Sequence, residues 1–330
     1  MKKVFVITPN LWWEKLKYLD LSYCKTLENT DFLSAFEKLE VLILSWCTRL
    51  KRIDAYYEGR KGLFRWEHCS SYALHLAVGA DASADASAEH PIPCLCLGEL
   101  PTKIGKLKAL RQLDLSDTPS LFALPNSIGS LENLEILVIS RSLIEELPNG
   151  IGSLRKLREL RAYHCKNLKR IMVESMCNLS SLRRLDFRYC FKLQSLPELP
   201  SGLTYLGVTC QSRKLPSLSH LAHLKKLVVH GCDNLQCIQE LPSTQLKSSK
   251  CSQPTDIEES ESPQSLNTPF RWECLEVNSC GSIEMLDVSQ FVHLRTLVVC
   301  HCMNLLEIRA LDKLLYLESL EITGCDSIKQ

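Results

Sequence analysis

Seventeen cysteines and nine histidines in 330 residues are enough for thiol chemistry or metal binding. Three groupings bring such residues close together: His164 precedes Cys165, His301 lies between Cys300 and Cys302, and one residue separates Cys94 from Cys96. A histidine activates a thiol as a nucleophile only where the two side chains meet. Neighbours on a strand point to opposite faces, so neither His–Cys grouping is placed for that chemistry. Cys94 and Cys96 share a face but lack a second ligand pair at zinc-site spacing. The phosphate-cradling run GxxxxGK[ST] occurs nowhere in the chain. No catalysis, metal, nucleotide or other cofactor is therefore expected. Asn178, Leu179 and Ser180 spell a glycosylation tripeptide, which matters only in a secreted protein.

The balance of 39 basic and 38 acidic residues gives no positive field for nucleic acid and no patch for an anionic membrane surface. No apolar window approaches the roughly 18 residues that cross a bilayer. Near the N-terminus, Val4 to Ile7 is far shorter than the core of a signal peptide. An unsecreted, cytoplasmic chain is the expectation, and with it reduced cysteines.

The positions of the cysteines lead back to the elements that must hold them. Cys24, Cys47, Cys165, Cys190, Cys232, Cys280, Cys302 and Cys325 fall at one site of a recurring pattern, LxxLxLxxCxxL. The pattern starts at Leu16, Leu39, Leu110, Leu134, Leu157, Leu182, Leu203, Leu224, Trp272, Leu294 and Leu317, with spacings from Leu110 to Leu224 of 24, 23, 25, 21 and 21. A period in this range with this internal spacing is similar to the leucine-rich repeat, which contributes one short parallel strand and a return segment per turn. The fold class that follows is α/β: one solenoid over residues 1–330, a curved horseshoe of about 11–13 parallel strands with an irregular or short-helical convex side. Within each strand the apolar positions alternate, so Leu19, Leu21, Leu113, Leu115, Leu185, Phe187, Leu297 and Val299 face the core, while Gln112, Asp114 and Ser116 face solvent on the concave side. The cysteine sits where the chain leaves the strand, and a thiol there is a small apolar group with a weak donor.

Two spacings exceed one period. Leu39 to Leu110 spans 71 residues and Leu224 to Trp272 spans 48. Phe64 to Glu67 read Phe-Arg-Trp-Glu, as do Phe270 to Glu273, which places one degenerate repeat near Trp66 and another near Ile92, Leu95, Leu97 and Leu100. Residues 77–90, rich in Ala, Ser, Asp and Glu, and the polar, Pro-broken 243–268 are expected to be disordered insertions.

Between strands the chain three times reads LPxxIGxLxxL, from Leu100, Leu124 and Leu147. Proline stops the strand, Ile and Leu refill the core, and Gly permits a tight return. This combination resembles the repeats of plant intracellular disease-resistance proteins, the nucleotide-binding leucine-rich-repeat receptors. The double Leu-Pro run from Leu196 to Leu203, and the Cys-x-x-Leu steps at Cys165, Cys190 and Cys232, resemble the subclass with a Toll/interleukin-receptor domain. The resemblance covers nearly the whole chain but only the recognition part of such a receptor. It implies a protein partner: a pathogen effector, a guarded host protein or the receptor's own switch domain. The alternative is a freestanding cytosolic adaptor, such as the substrate-selecting subunit of a ubiquitin ligase.

Superposing the repeats that start at Leu157 and Leu182 aligns Glu159 with Arg184, Arg161 with Asp186, Tyr163 with Arg188 and His164 with Tyr189. Two readings stay open and are compatible. One is a ladder of lateral ion pairs, Glu159 to Arg184 and Arg161 to Asp186, worth at most about 1 kcal/mol each where exposed. The other is a partner-binding cluster of Arg161, Tyr163, Arg184, Arg188 and Tyr189, of the composition that dominates interface energetics. Tyr23 and Trp46, each one residue before a cysteine, are a second aromatic candidate for partner binding, although covering the end of the solenoid is the favoured role.

Overall fold

The computed structural model describes residues 15–24, 36–47, 100, 102–119, 121–171, 176–238 and 272–328. The strands in chain order are β1 (Tyr18–Asp20), β2 (Val41–Ile43), β3 (Gln112–Asp114), β4 (Ile136–Val138), β5 (Glu146–Leu147), β6 (Glu159–Arg161), β7 (Arg170–Ile171) and β8 (Arg184–Phe187). They continue with β9 (Tyr205–Val208), β10 (Lys226–His230), β11 (Cys274–Asn278), β12 (Met285–Asp287), β13 (Thr296–Cys300), β14 (Glu307–Arg309) and β15 (Ser319–Thr323). Eleven of them form one sheet in the order β1-β2-β3-β4-β6-β8-β9-β10-β11-β13-β15. Every neighbouring pair is parallel, with equivalent repeat positions opposite each other, as in Leu160 opposite Leu185 and Leu206 opposite Leu227. On the return side, β5 pairs with β7 and β12 with β14.

Alternation along each strand does what the pattern requires. Leu113, Leu115, Leu185, Phe187, Leu297 and Val299 are inaccessible or nearly so, and Leu21 is buried. Leu19 departs from the expectation and is half-buried, because β1 is the end strand of the sheet among the described residues. The two long spacings also resolve differently. β2 pairs directly with β3, and β10 directly with β11, so the sheet has no place for repeat strands between them. Trp66, Ile92 and the proposed insertions 77–90 and 243–268 themselves lie outside the described residues.

Where the convex returns are helical among the described residues, they are short 3-10 helices and not α-helices. Those of the LPxxIG repeats run Thr102–Lys106, Asn126–Ser130 and Asn149–Ser153. Pro125 and Pro148 precede the latter two with extended backbone, φ −74° and −75°, a conformation the ring pre-sets. Ile104, Ile128 and Ile151 are fully buried beneath these turns. Glycine serves close approach here, not an unusual dihedral. A Cβ on Gly129 would lie 2.4 Å from the Gly150 carbonyl oxygen, and one on Gly150 would lie 2.1 Å from that of Asn126. Small residues thus let successive returns stack backbone on backbone.

The recurring cysteines tie each turn to the one before it. The thiols of Cys47, Cys165 and Cys190 donate to the carbonyls of Leu21, Ile139 and Ala162 at 3.0, 3.1 and 3.0 Å. Cys302 reaches the Val277 carbonyl at 3.7 Å. A buried carbonyl that the strand ladder leaves behind therefore gains a weak donor. Where the repeat lacks cysteine, Thr118 donates instead to Leu115 within its own turn at 2.6 Å. Seven of the eight cysteines are buried, and Cys165, Cys190, Cys232, Cys280, Cys302 and Cys325 are free thiols. Cys325 is the half-buried exception, in the last described turn.

Candidate functional site

The residue before each of these cysteines takes a left-handed backbone conformation. Tyr23, Trp46, His164, Tyr189, Ser279 and His301 all have φ between 53° and 62°, and Gly231 and Gly324 stand at the same position with φ 59°. Left-handed backbone costs a non-glycine residue roughly 1–2 kcal/mol. Stacking offsets that cost, because the N–H there bonds to the next turn, as in His164 to the Arg188 carbonyl at 2.8 Å and His301 to Thr323 at 2.8 Å. The turn separates His164 from its neighbour's thiol. The imidazole packs against Tyr163 and Tyr189, with ring centroids 5.9 Å away in both cases, while the Cys165 thiol is buried on Ile139. Burial pushes the Cys302 thiol up to about 12, which keeps it protonated and unreactive beside His301. Among the described residues no three His, Cys, Asp or Glu side chains are grouped to hold a metal ion. Cys94 and Cys96 lie outside the described residues.

The concave patch forms where β6, β8 and β9 lie side by side. Register places Glu159 opposite Arg184 and Arg161 opposite Asp186, as the repeat alignment requires. The ion pairs, however, run along the strands and not across them. Arg161 donates through Nε to Glu159 at 2.8 Å. Arg188 grips Asp186 with two hydrogen bonds, Nε to Oδ1 and Nη2 to Oδ2, both 2.9 Å. Residues two apart share a face, and an arginine is long enough to fold back on its own strand, so the lateral ladder does not form. Asp186 is buried, its side chain 4% exposed, and Gly207 opposite it supplies the room: a Cβ there would lie 2.9 Å from the Asp186 carboxylate and 3.0 Å from the Arg188 side chain. The buried carboxylate raises the affinity of Arg188 for its proton, mainly through these hydrogen bonds.

Aromatic rings frame the two arginines. The Arg184 guanidinium sits 3.9 Å from the centroid of Tyr205, and that of Arg188 lies between Tyr163 at 5.4 Å and Tyr205 at 5.9 Å. Tyr163 meets Tyr189 edge-on at 5.0 Å, and Tyr189 in turn covers His230 at 4.1 Å. Burial, with Asp186 nearby, pushes the Tyr205 hydroxyl up to about 12, so the ring stays neutral under the guanidinium. All five residues expected in the cluster are thus on one surface: Arg161 is exposed, and Tyr163, Arg184, Arg188 and Tyr189 are half-exposed. Tyr205, Gly207 and His230 were not anticipated. Extending the alignment by one repeat, from Leu203, would have put Tyr205 beside Arg184. Tyr23 and Trp46 stack on each other with centroids 5.8 Å apart and planes 8° from parallel, and Tyr23 is 60% exposed.

A stack of short parallel strands, with leucines inward, cysteine-closed turns and a side-chain-rich concave face, defines the leucine-rich repeat class. The leucine-rich repeat region family matches residues 92–268, more than half of the sequence, and the chain belongs to that family. It is similar to disease resistance protein RPS4B of Arabidopsis thaliana, with 32% identity over 136 residues, 36% of this chain. It is likewise similar to TMV resistance protein N of Nicotiana glutinosa, with 33% identity over 144 residues, again 36% of this chain. In each case the chain spans 12% of the relative's length. Among solved structures it is similar to the Leptospira interrogans leucine-rich repeat protein LIC12759, at 17% identity over 96% of this chain and 87% of that chain, with a TM-score of 0.44. No helix among the described residues is long and apolar enough to cross a membrane.

Proposed function

We propose that the chain is the noncatalytic recognition module of a plant intracellular immune receptor. It binds another protein through its concave face: a pathogen effector, a guarded host protein or the receptor's own switch domain. It works in the cytoplasm and takes no nucleotide, metal or other cofactor. The observation that carries this reading is the arrangement of Tyr163, Arg184, Arg188, Tyr189 and Tyr205, large interface-forming side chains held in contact on a rigid sheet. Two-χ aromatic rings and a clamped arginine lose little freedom on binding, which is what an efficient recognition surface needs. The similarity to plant disease-resistance proteins supports the immune role.

The test begins with a two-hybrid screen for partners of the chain. Titration then compares Tyr163→Ala and Tyr189→Ala with the convex control Lys156→Ala. The expected result is an affinity loss of about 2 kcal/mol or more, some thirtyfold, for each tyrosine variant and none for the control. Equal binding by all three would remove the patch from the interface.

A further inference from the structure

Charges at the centre of the concave face are matched one by one, with one left over. Across β6 to β11 the described concave positions carry four cations, Arg161, Arg184, Arg188 and Lys226, and three carboxylates, Glu159, Asp186 and Glu276. Arg161 pairs with Glu159, Arg188 with Asp186 and Lys226 with Glu276. While Arg188 holds both carboxylate oxygens at 2.9 Å, Arg184 forms only a weak second ion pair to Asp186 at 3.6 Å, beyond hydrogen-bond distance. Its Nε is buried with no hydrogen-bond partner, and its side chain remains 35% exposed. Stacking on Tyr205 fixes the plane of the guanidinium. A flat, oriented guanidinium that shares its one nearby carboxylate with Arg188 and is hydrogen-bonded to none can take a second carboxylate in bidentate fashion.

We infer that Arg184 receives the carboxylate of one Asp or Glu side chain from a protein partner, at a socket walled by Tyr205 and continuous with Tyr163 and Tyr189. This assignment rests on the concave face being the recognition surface. The charge count selects a carboxylate over a phosphoryl group. A phosphoryl group brings about two negative charges; beside Glu159, Asp186 and Glu276, the second would meet only carboxylates or cations already paired. A single acidic side chain completes the matching.

The experiment selects binders to the whole chain from a phage-displayed library of constrained random peptides, keeping those whose binding Tyr163→Ala abolishes. These peptides are expected to share one required Asp or Glu. Replacing it with Asn or Gln should weaken binding about tenfold or more, as should Arg184→Gln in the protein, and the two changes together should cost no more than either alone. Arg184→Glu should restore binding to peptides in which the acidic residue is replaced by Lys. Tyr163-dependent peptides that carry no required acid, or that ignore Arg184→Gln, would overturn the assignment while leaving the concave surface standing. Peptides all indifferent to Tyr163→Ala, or an empty selection, would overturn both. Displacement of the peptides by millimolar inorganic phosphate would reassign the socket to phosphoryl groups and overturn the carboxylate.

Discussion

Leu160 and Leu320 occupy the same position of the same repeat, yet Leu160 is inaccessible and Leu320 is 49% exposed. The difference lies in their neighbours. β6 is paired on both sides, by β4 and β8, whereas β15 is paired among the described residues by β13 alone. Burial in this fold is therefore a property of the stack more than of the residue. Ala162 and Ile322 repeat the lesson, at 0% and 39% exposed. The concave patch shows the same logic in polar form: Asp186 is buried because Gly207 and Arg188 close over it, while Glu159 at the margin keeps contact with water.

The sharpest way to break this contrast is truncation of the paired leucines. Leu160→Ala should cost about 2–5 kcal/mol in urea unfolding, and Leu320→Ala less than about 1 kcal/mol. Equal losses would mean that stacking does not decide burial energy. A second contrast sets two arginines against each other. Arg188→Ala strands the buried Asp186 charge and should cost about 2 kcal/mol or more, whereas Arg161→Ala breaks an exposed pair and should change stability by no more than about 0.5 kcal/mol. Restoring most of the loss with the double change Asp186→Asn and Arg188→Met would identify the stranded charge as its cause. The smallest contrast concerns the thiols. Cys165→Ala removes a buried donor and a little volume, about 1 kcal/mol by thermal unfolding, and Cys325→Ala should lie within a few tenths of zero.

The stack was legible because period-two alternation inside a 21 to 25-residue repeat leaves one way to bury every leucine row. Register followed from it, so the five patch residues could be named together. Other features had no such signal. Which carboxylate an arginine chooses depends on its rotamer, and Arg188 turns back to Asp186 instead of reaching sideways. The left-handed turn before each cysteine was hidden where Tyr, Trp and Ser, residues that rarely mark positive φ, stand there; Gly231 and Gly324 advertise it. The close approach that Gly129 allows between turns leaves no mark within a single repeat.

The central claim, that recognition belongs to the concave patch and stability to the stacked leucines and turns, is tested most directly by hydroxyl-radical footprinting of the chain with and without a partner from the screen. The account predicts that oxidation of the half-exposed Tyr163 and Tyr189 falls severalfold on binding, while Phe122 and Tyr316, exposed at 48% and 56%, are labelled as before. Protection of Phe122 or Tyr316 with Tyr163 and Tyr189 unchanged would contradict it.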